Sequence, residues 1–116
     1  MITRRIALLI LPLLSACGSQ AADVVALERG LVARTLVVGA PFAEARAKLE
    51  GSGYMCHDES GRFLAENGQT VSVPAFLACS KQASGGIFCS VQTQVVVVPD
   101  DAMIGQIHFH AGNVCL

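Results

Sequence analysis

The chain has no tryptophan, a single tyrosine and only 15% charged side chains. Nucleic-acid binding needs a positive footprint, commonly with aromatics to stack on. After Arg5 the basic residues are scattered singly and the formal net charge is −1, which excludes that class of partner. No apolar run can span a bilayer. The longest, Ile6 to Leu14, rises about 13–14 Å as a helix, against a hydrocarbon core of ~30 Å, and Pro12 interrupts it. There is no C-x-x-C pair and no internal repeat. No glycine-rich loop follows a strand and opens a helix, and no nucleophile is assembled with a base. The expectation is a non-enzymatic chain with no cofactor.

What is present begins at the amino terminus. Arg4 and Arg5 precede the apolar stretch, and Leu14-Ser15-Ala16-Cys17 closes it. A basic region, a short apolar region and small residues before a cut describe a secretory signal. The ending resembles the lipobox of bacterial lipoproteins, in which the cysteine is lipidated and becomes the first residue. That resemblance implies residues 1–16 as a signal peptide and Cys17 as the acylated residue. Anchoring to a membrane then follows without spanning it. Gly18 stands where lipoproteins retained in the inner membrane typically carry Asp, so the resemblance favours the outer membrane, facing the periplasm. Residues 17–22 read as a tether and 23–116 as one globular domain.

Lipidation of Cys17 leaves Cys56, Cys79, Cys89 and Cys115, an even number in an oxidising compartment. Pairing 56–79 with 89–115 closes loops worth about 7 kcal/mol in total, and so does 79–89 with 56–115. Geometry favours the first, because a chain running up and down a sheet places all four at one end, with Cys56 and Cys115 on opposite edges.

Asp23 can cap a helix reaching about Arg34, with Val24, Leu27 and Leu31 on its buried face. Thr35 to Val38 is β-branched enough for a short extended piece. Pro41 suits the first position of a second helix and Gly51 its C-terminal cap. Phe42, Ala45 and Leu49 form that helix's buried stripe, and Glu44 pairs with Lys48 outside. Beyond Gly53 the apolar residues alternate, from Tyr54 to His57 and then in Val71–Cys79, Ile87–Val98 and Gly105–Leu116. Asp58 to Gly61, Glu66-Asn67-Gly68, Ser80 to Gly86 and Pro99-Asp100-Asp101 read as turns. Pro74 marks a bulge or an edge. The fold class is α+β, with one or two helices packed on an antiparallel meander of three or four strands, braced by two disulfides.

Chemistry has few footholds in this pattern. His108 and His110 lie two apart on a strand, on one face, and could hold a metal with His57, but polar residues at even positions more simply face water. His57-Asp58-Glu59-Ser60 carries triad residue types as sequence neighbours, which rarely converge on one atom. Val96 and Val98 are apolar on a face otherwise polar, so they join His108 and His110 as the candidate interface.

The order of lipobox, linker, helices and sheet is similar to that of small envelope lipoproteins, including the SmpA/OmlA group that supports outer-membrane protein assembly. Gly39-Ala40-Pro41-Phe42-Ala43-Glu44-Ala45, ahead of Leu49 and Gly53-Tyr54, resembles the opening of that fold. The cysteines depart from it, as does the missing tryptophan. The resemblance implies protein contact in the envelope with an unidentified partner. A disulfide-braced inhibitor or ligand-binding lipoprotein using the loop Lys81 to Gly86 is the alternative.

Overall fold

The alternation beyond Gly53 becomes four antiparallel strands: β1 (Met55–Leu64), β2 (Thr70–Gly85), β3 (Cys89–Asp100) and β4 (Met103–Cys115). They lie side by side in sequence order. Among the described residues two helices precede them, α1 (Gln20–Thr35) and α2 (Ala45–Gly51), the second led in by a 3-10 turn at Phe42–Glu44. This computed structural model describes residues 20–85 and 88–115. Cys17 and the segment read as a signal peptide lie outside the described residues.

Both helices pack on one face of the sheet. Val32 and Leu36, with Ala45 and Leu49 of α2, meet Leu77, Cys79, Val95, Val97, Ile104 and Phe109. Odd-numbered residues of β2 and β3 face this core, as period-two patterning requires. The stripe of α1 is rotated from its expected position. Leu27 is 71% exposed and Val32 buried, because the face turned to the sheet runs through Val25, Glu28 and Val32. Glu28 belongs there to meet Lys81 at 2.8 Å. The helix begins at Gln20, which puts Asp23 inside its first turn rather than at its cap, and residues 20–22 of the expected tether are helical.

Thr35 ends α1, and Val37 and Val38 form an exposed turn rather than an extended piece. The second helix keeps its expected stripe, with Ala45 and Leu49 fully buried, and Lys48 sits 3.5 Å from Glu44. Its terminating glycine is Gly53, not Gly51. Gly53 takes φ +95°, and the N–H groups of Gly53 and Tyr54 donate back to Glu50 and Leu49 at 3.0 Å each. A left-handed residue at this position is what closes a helix end, and glycine adopts it without a Cβ penalty.

The opposite face has its own apolar cluster. Phe63 and Ala65 pack on Phe76, Ala78, Val96 and Val98, because the β1–β2 hairpin folds over the sheet. The bend sits where Glu59 pairs with Phe76 but Gly61 with Val73. Ser60 then opposes both Pro74 and Ala75. Pro74 therefore lies in a bulge, beyond the part of β2 that pairs with β3. Asp58 to Gly61 is bulged strand and not a turn. The hairpin closes at Glu66-Asn67-Gly68: Gly68 donates to the Ala65 carbonyl and Ala65 to that of Gln69, with φ +83° at Gly68.

The disulfides join Cys56 to Cys79 and Cys89 to Cys115, with Cα atoms 4.1 and 4.0 Å apart. Each pair is directly opposed across neighbouring strands. The four sulfurs are not at one end of the sheet, however. Cys79 pairs with Val95, so Cys89 lies about 20 Å farther along β3 at 3.3–3.4 Å per residue. β2 does not stop at Cys79 but continues to Gly85. The stretch 81–85 is strand, paired from Lys81↔Thr93 to Gly85↔Ser90, which removes the exposed loop expected at Lys81 to Gly86; Gly86 itself lies outside the described residues.

Candidate functional site

The histidines do not converge. His57 pairs with Ala78, Ala78 with Val96, and Val96 with His108. One row across the sheet thus separates His57 from His108 by three strand spacings, about 14 Å. His57 Nε2 lies 2.9 Å from Glu59. His108 Nε2 meets Gln106 Oε1 at 2.9 Å and its ring packs tilted against Phe63, with centroids 4.9 Å apart. His110 is exposed beside them. Among the described residues no three His, Cys, Asp or Glu side chains stand close enough to share a metal.

The run His57-Asp58-Glu59-Ser60 alternates along exposed β1. His57 and Glu59 share one face, while Asp58 turns away to pair with Arg46 at 2.9 Å. No substrate atom could sit against all of them. Val96 and Val98 are corrected as interface candidates. They are 4% and 8% exposed, covered by Phe63 and Ala65 of the folded-over hairpin.

A polar cluster lies within the helix-facing core. Tyr54 Oη donates to Glu28 Oε2 at 3.1 Å and lies 3.0 Å from Thr93 Oγ1. Lys81 Nζ donates to Glu28 Oε1 at 2.8 Å and to the Ser52 carbonyl at 3.0 Å. Its ammonium also stands 5.4 Å from the centre of the Tyr54 ring. Burial pushes the Tyr54 hydroxyl up to about 12; the Thr93 hydrogen bond opposes this, and the Glu28 charge and hydrogen bond add to it. Tyr54 is 3% exposed and Thr93 1%, so this pair of hydroxyls is closed to solvent. The cluster clamps α1 to β2 and β3.

The concave feature lies beside that clamp, between α1 and β4. A groove of about 730 Å³ runs between Ala22, Val25, Ala26 and Ala33 of α1 and Val91, Ala111 and Asn113 of the strands. A second, of about 390 Å³, continues it past Val32, Leu36, Val37 and Val38 toward Ile107 and Phe109. Arg29 and Ala33 border both. The Arg29 guanidinium lies 4.7 Å over the Phe109 ring, between the two hollows, and makes no ion pair among the described residues. The walls are small because α1 carries Ala22, Ala26, Gly30 and Ala33 along this side. That spacing was present in the sequence, hidden behind a reading of the helix by its large apolar residues.

No protein-family model, curated protein or solved structure matches the chain. Among the described residues no helix is long and apolar enough to cross a membrane.

Proposed function

We propose that the chain is a disulfide-braced binding domain, held at the periplasmic face of the outer membrane by an acylated Cys17. It acts by contact with another molecule and catalyses nothing. The observation that carries this reading is the pair of adjoining apolar hollows between α1 and β4, with the Arg29 guanidinium between them and without an ion pair among the described residues. Binding sites are typically concave, mostly apolar, and oriented by a few polar groups. Ligand binding is placed ahead of a scaffolding role in envelope assembly because Val96 and Val98, on which the broader contact surface rested, are buried.

Two measurements test the two halves. Radiolabelled palmitate should enter the wild-type protein in its native host and not a Cys17→Ser variant; equal labelling removes the anchor. A photo-crosslinking residue at Ala33, in the groove, should give a discrete adduct in intact cells, whereas the same residue at Lys48 should not. Adducts from both positions, or from neither, overturn the groove as the working surface.

A further inference from the structure

β4 is an edge strand, and its outer side changes along its length. At its start it is already paired. Gly39 N–H donates to the Ile104 carbonyl and Ile104 N–H to that of Ala40, both at 2.8 Å, and Pro41 bridges Met103 in antiparallel sense. The turn leading into the second helix thus covers the edge there through a short bridge. Farther on, Phe109 N–H donates outward to the Glu66 carboxylate at 2.7 Å, the tip of the folded-over hairpin reaching the edge. Strand alternation turns the backbone groups of Ile107, Ala111 and Asn113 the same way. Among the described residues these meet no hydrogen-bond partner. An edge of this kind is a template for another strand.

Ile107, Phe109 and Ala111 also face the helix side, where both hollows open. A strand laid along β4 would send every second side chain into that groove. From these two coincident features we propose that the groove binds an extended polypeptide segment of a partner, which adds to the sheet beside β4. The segment carries an apolar residue, an acidic residue and an apolar residue at alternate positions. The acidic one meets Arg29; the apolar ones enter the hollow beside Val37 and the hollow beside Ala26. The pattern reads the same in both chain directions. Glu66 holds the place of one backbone carbonyl of the incoming strand and swings to solvent when that strand arrives. A second copy of this chain fits less well, since its own β4 would bring Phe109 and not a carboxylate to Arg29.

This inference rests on the groove being the working surface, and its test separates the two. The probe is a fluorescein-labelled seven-residue peptide in which threonine alternates with valine, glutamate and leucine, titrated into the full-length protein in detergent. Saturable binding is expected, with slowed amide exchange at Ile107, Ala111 and Asn113. Ala111→Pro removes an outward N–H without breaking a ladder bond, and should weaken binding at least tenfold. Arg29→Glu should weaken it at least fivefold and prefer a peptide with lysine in place of glutamate. Glu66→Ala should tighten it about threefold. Binding unaffected by Ala111→Pro overturns strand addition, as does an unchanged preference after the Arg29 swap. So does concentration-dependent dimerisation that competes with the peptide. No saturable binding to 1 mM peptide also overturns it; if the Ala33 adduct persists, only strand addition falls, and if that is lost too, the groove falls with it.

Discussion

Tyr54 is the only tyrosine, and there is no tryptophan, so tyrosinate absorbance near 295 nm reports one side chain. With its hydroxyl pushed up to about 12 against an ordinary value near 10, the folded state keeps its proton while the unfolded chain has begun to lose it. Above pH 10 the unfolded chain therefore binds fewer protons, and stability falls as pH rises toward 12. Two pH units correspond to about 2–3 kcal/mol. At pH 7 the same hydroxyl stabilises the fold through Thr93 and Glu28. Removing it by Tyr54→Phe leaves Thr93 Oγ1 only a 3.5 Å contact with the Lys81 carbonyl, a cost of about 1–2 kcal/mol.

The two effects have opposite signs. Urea denaturation followed by circular dichroism should find Tyr54→Phe less stable at pH 7 and more stable near pH 12, with the curves crossing at about pH 11. Cys17 should be acylated or replaced by Ser, since a free thiolate would reshuffle the disulfides at these pH values. Parallel stability curves, or a folded tyrosine that titrates near 10, would refute the buried clamp.

A Cβ at Gly105 would lie 2.8 Å from Asp100 Cβ and 3.2 Å from its backbone nitrogen, at the bulge where Val98 pairs with Gln106 but Pro99 with Ile104. Gly105→Ala should therefore cost about 1–3 kcal/mol in thermal or urea unfolding. Replacing Leu49, which is fully buried in the helix-facing core, by Ala should cost about 2–5 kcal/mol by the same measurement. Changing Cys89 and Cys115 together to Ser should cost about 3.5 kcal/mol by loop closure. Hydrogen exchange should show the largest loss of protection in residues 89–94 and 110–115, where local opening adds to the global loss.

Period and punctuation made most of the architecture legible. Alternation marked the sheet, and Ala45 with Leu49 marked the second helix. Pro74 marked its bulge and Asn67-Gly68 its hairpin. Where the structure departs from the local pattern, a distant partner overrides the local residue type. Glu28 is polar, and local pattern alone assigns it to solvent, yet Lys81 and Tyr54 on distant segments offset the cost of burying it on the inner face of α1. Ser80 to Gly85 has turn-forming composition, but β3 offers a ladder on one side and holds it extended. The exposure of Val96 and Val98 depended on where the β1–β2 hairpin folds, which is set by a bulge some twenty residues earlier in the chain. The groove was hidden for a related reason, since small residues announce space only once the opposing wall is known.

The treatment of the sheet edges bears on why the second disulfide exists. On β1 the Cys56 carbonyl is capped by Arg46 Nη1 at 3.0 Å. On β4 the first residues are covered by Gly39 to Phe42 and the middle by Glu66. Among the described residues Ile107 and the stretch toward Asn113 are left open, and the latter borders the larger hollow. Cys89 and Cys115 close it at the tip, although both are exposed and belong to neither apolar cluster. A crosslink outside the core adds no burial. It does restrain the end of an edge strand that lacks an outer neighbour, so an incoming segment meets groups already in register. Ordering a loose strand on binding costs about 1–2 kcal/mol per residue in backbone freedom alone, and a restrained edge avoids much of that cost. The position of the bridge is thus better explained by what β4 presents outward than by what the domain buries.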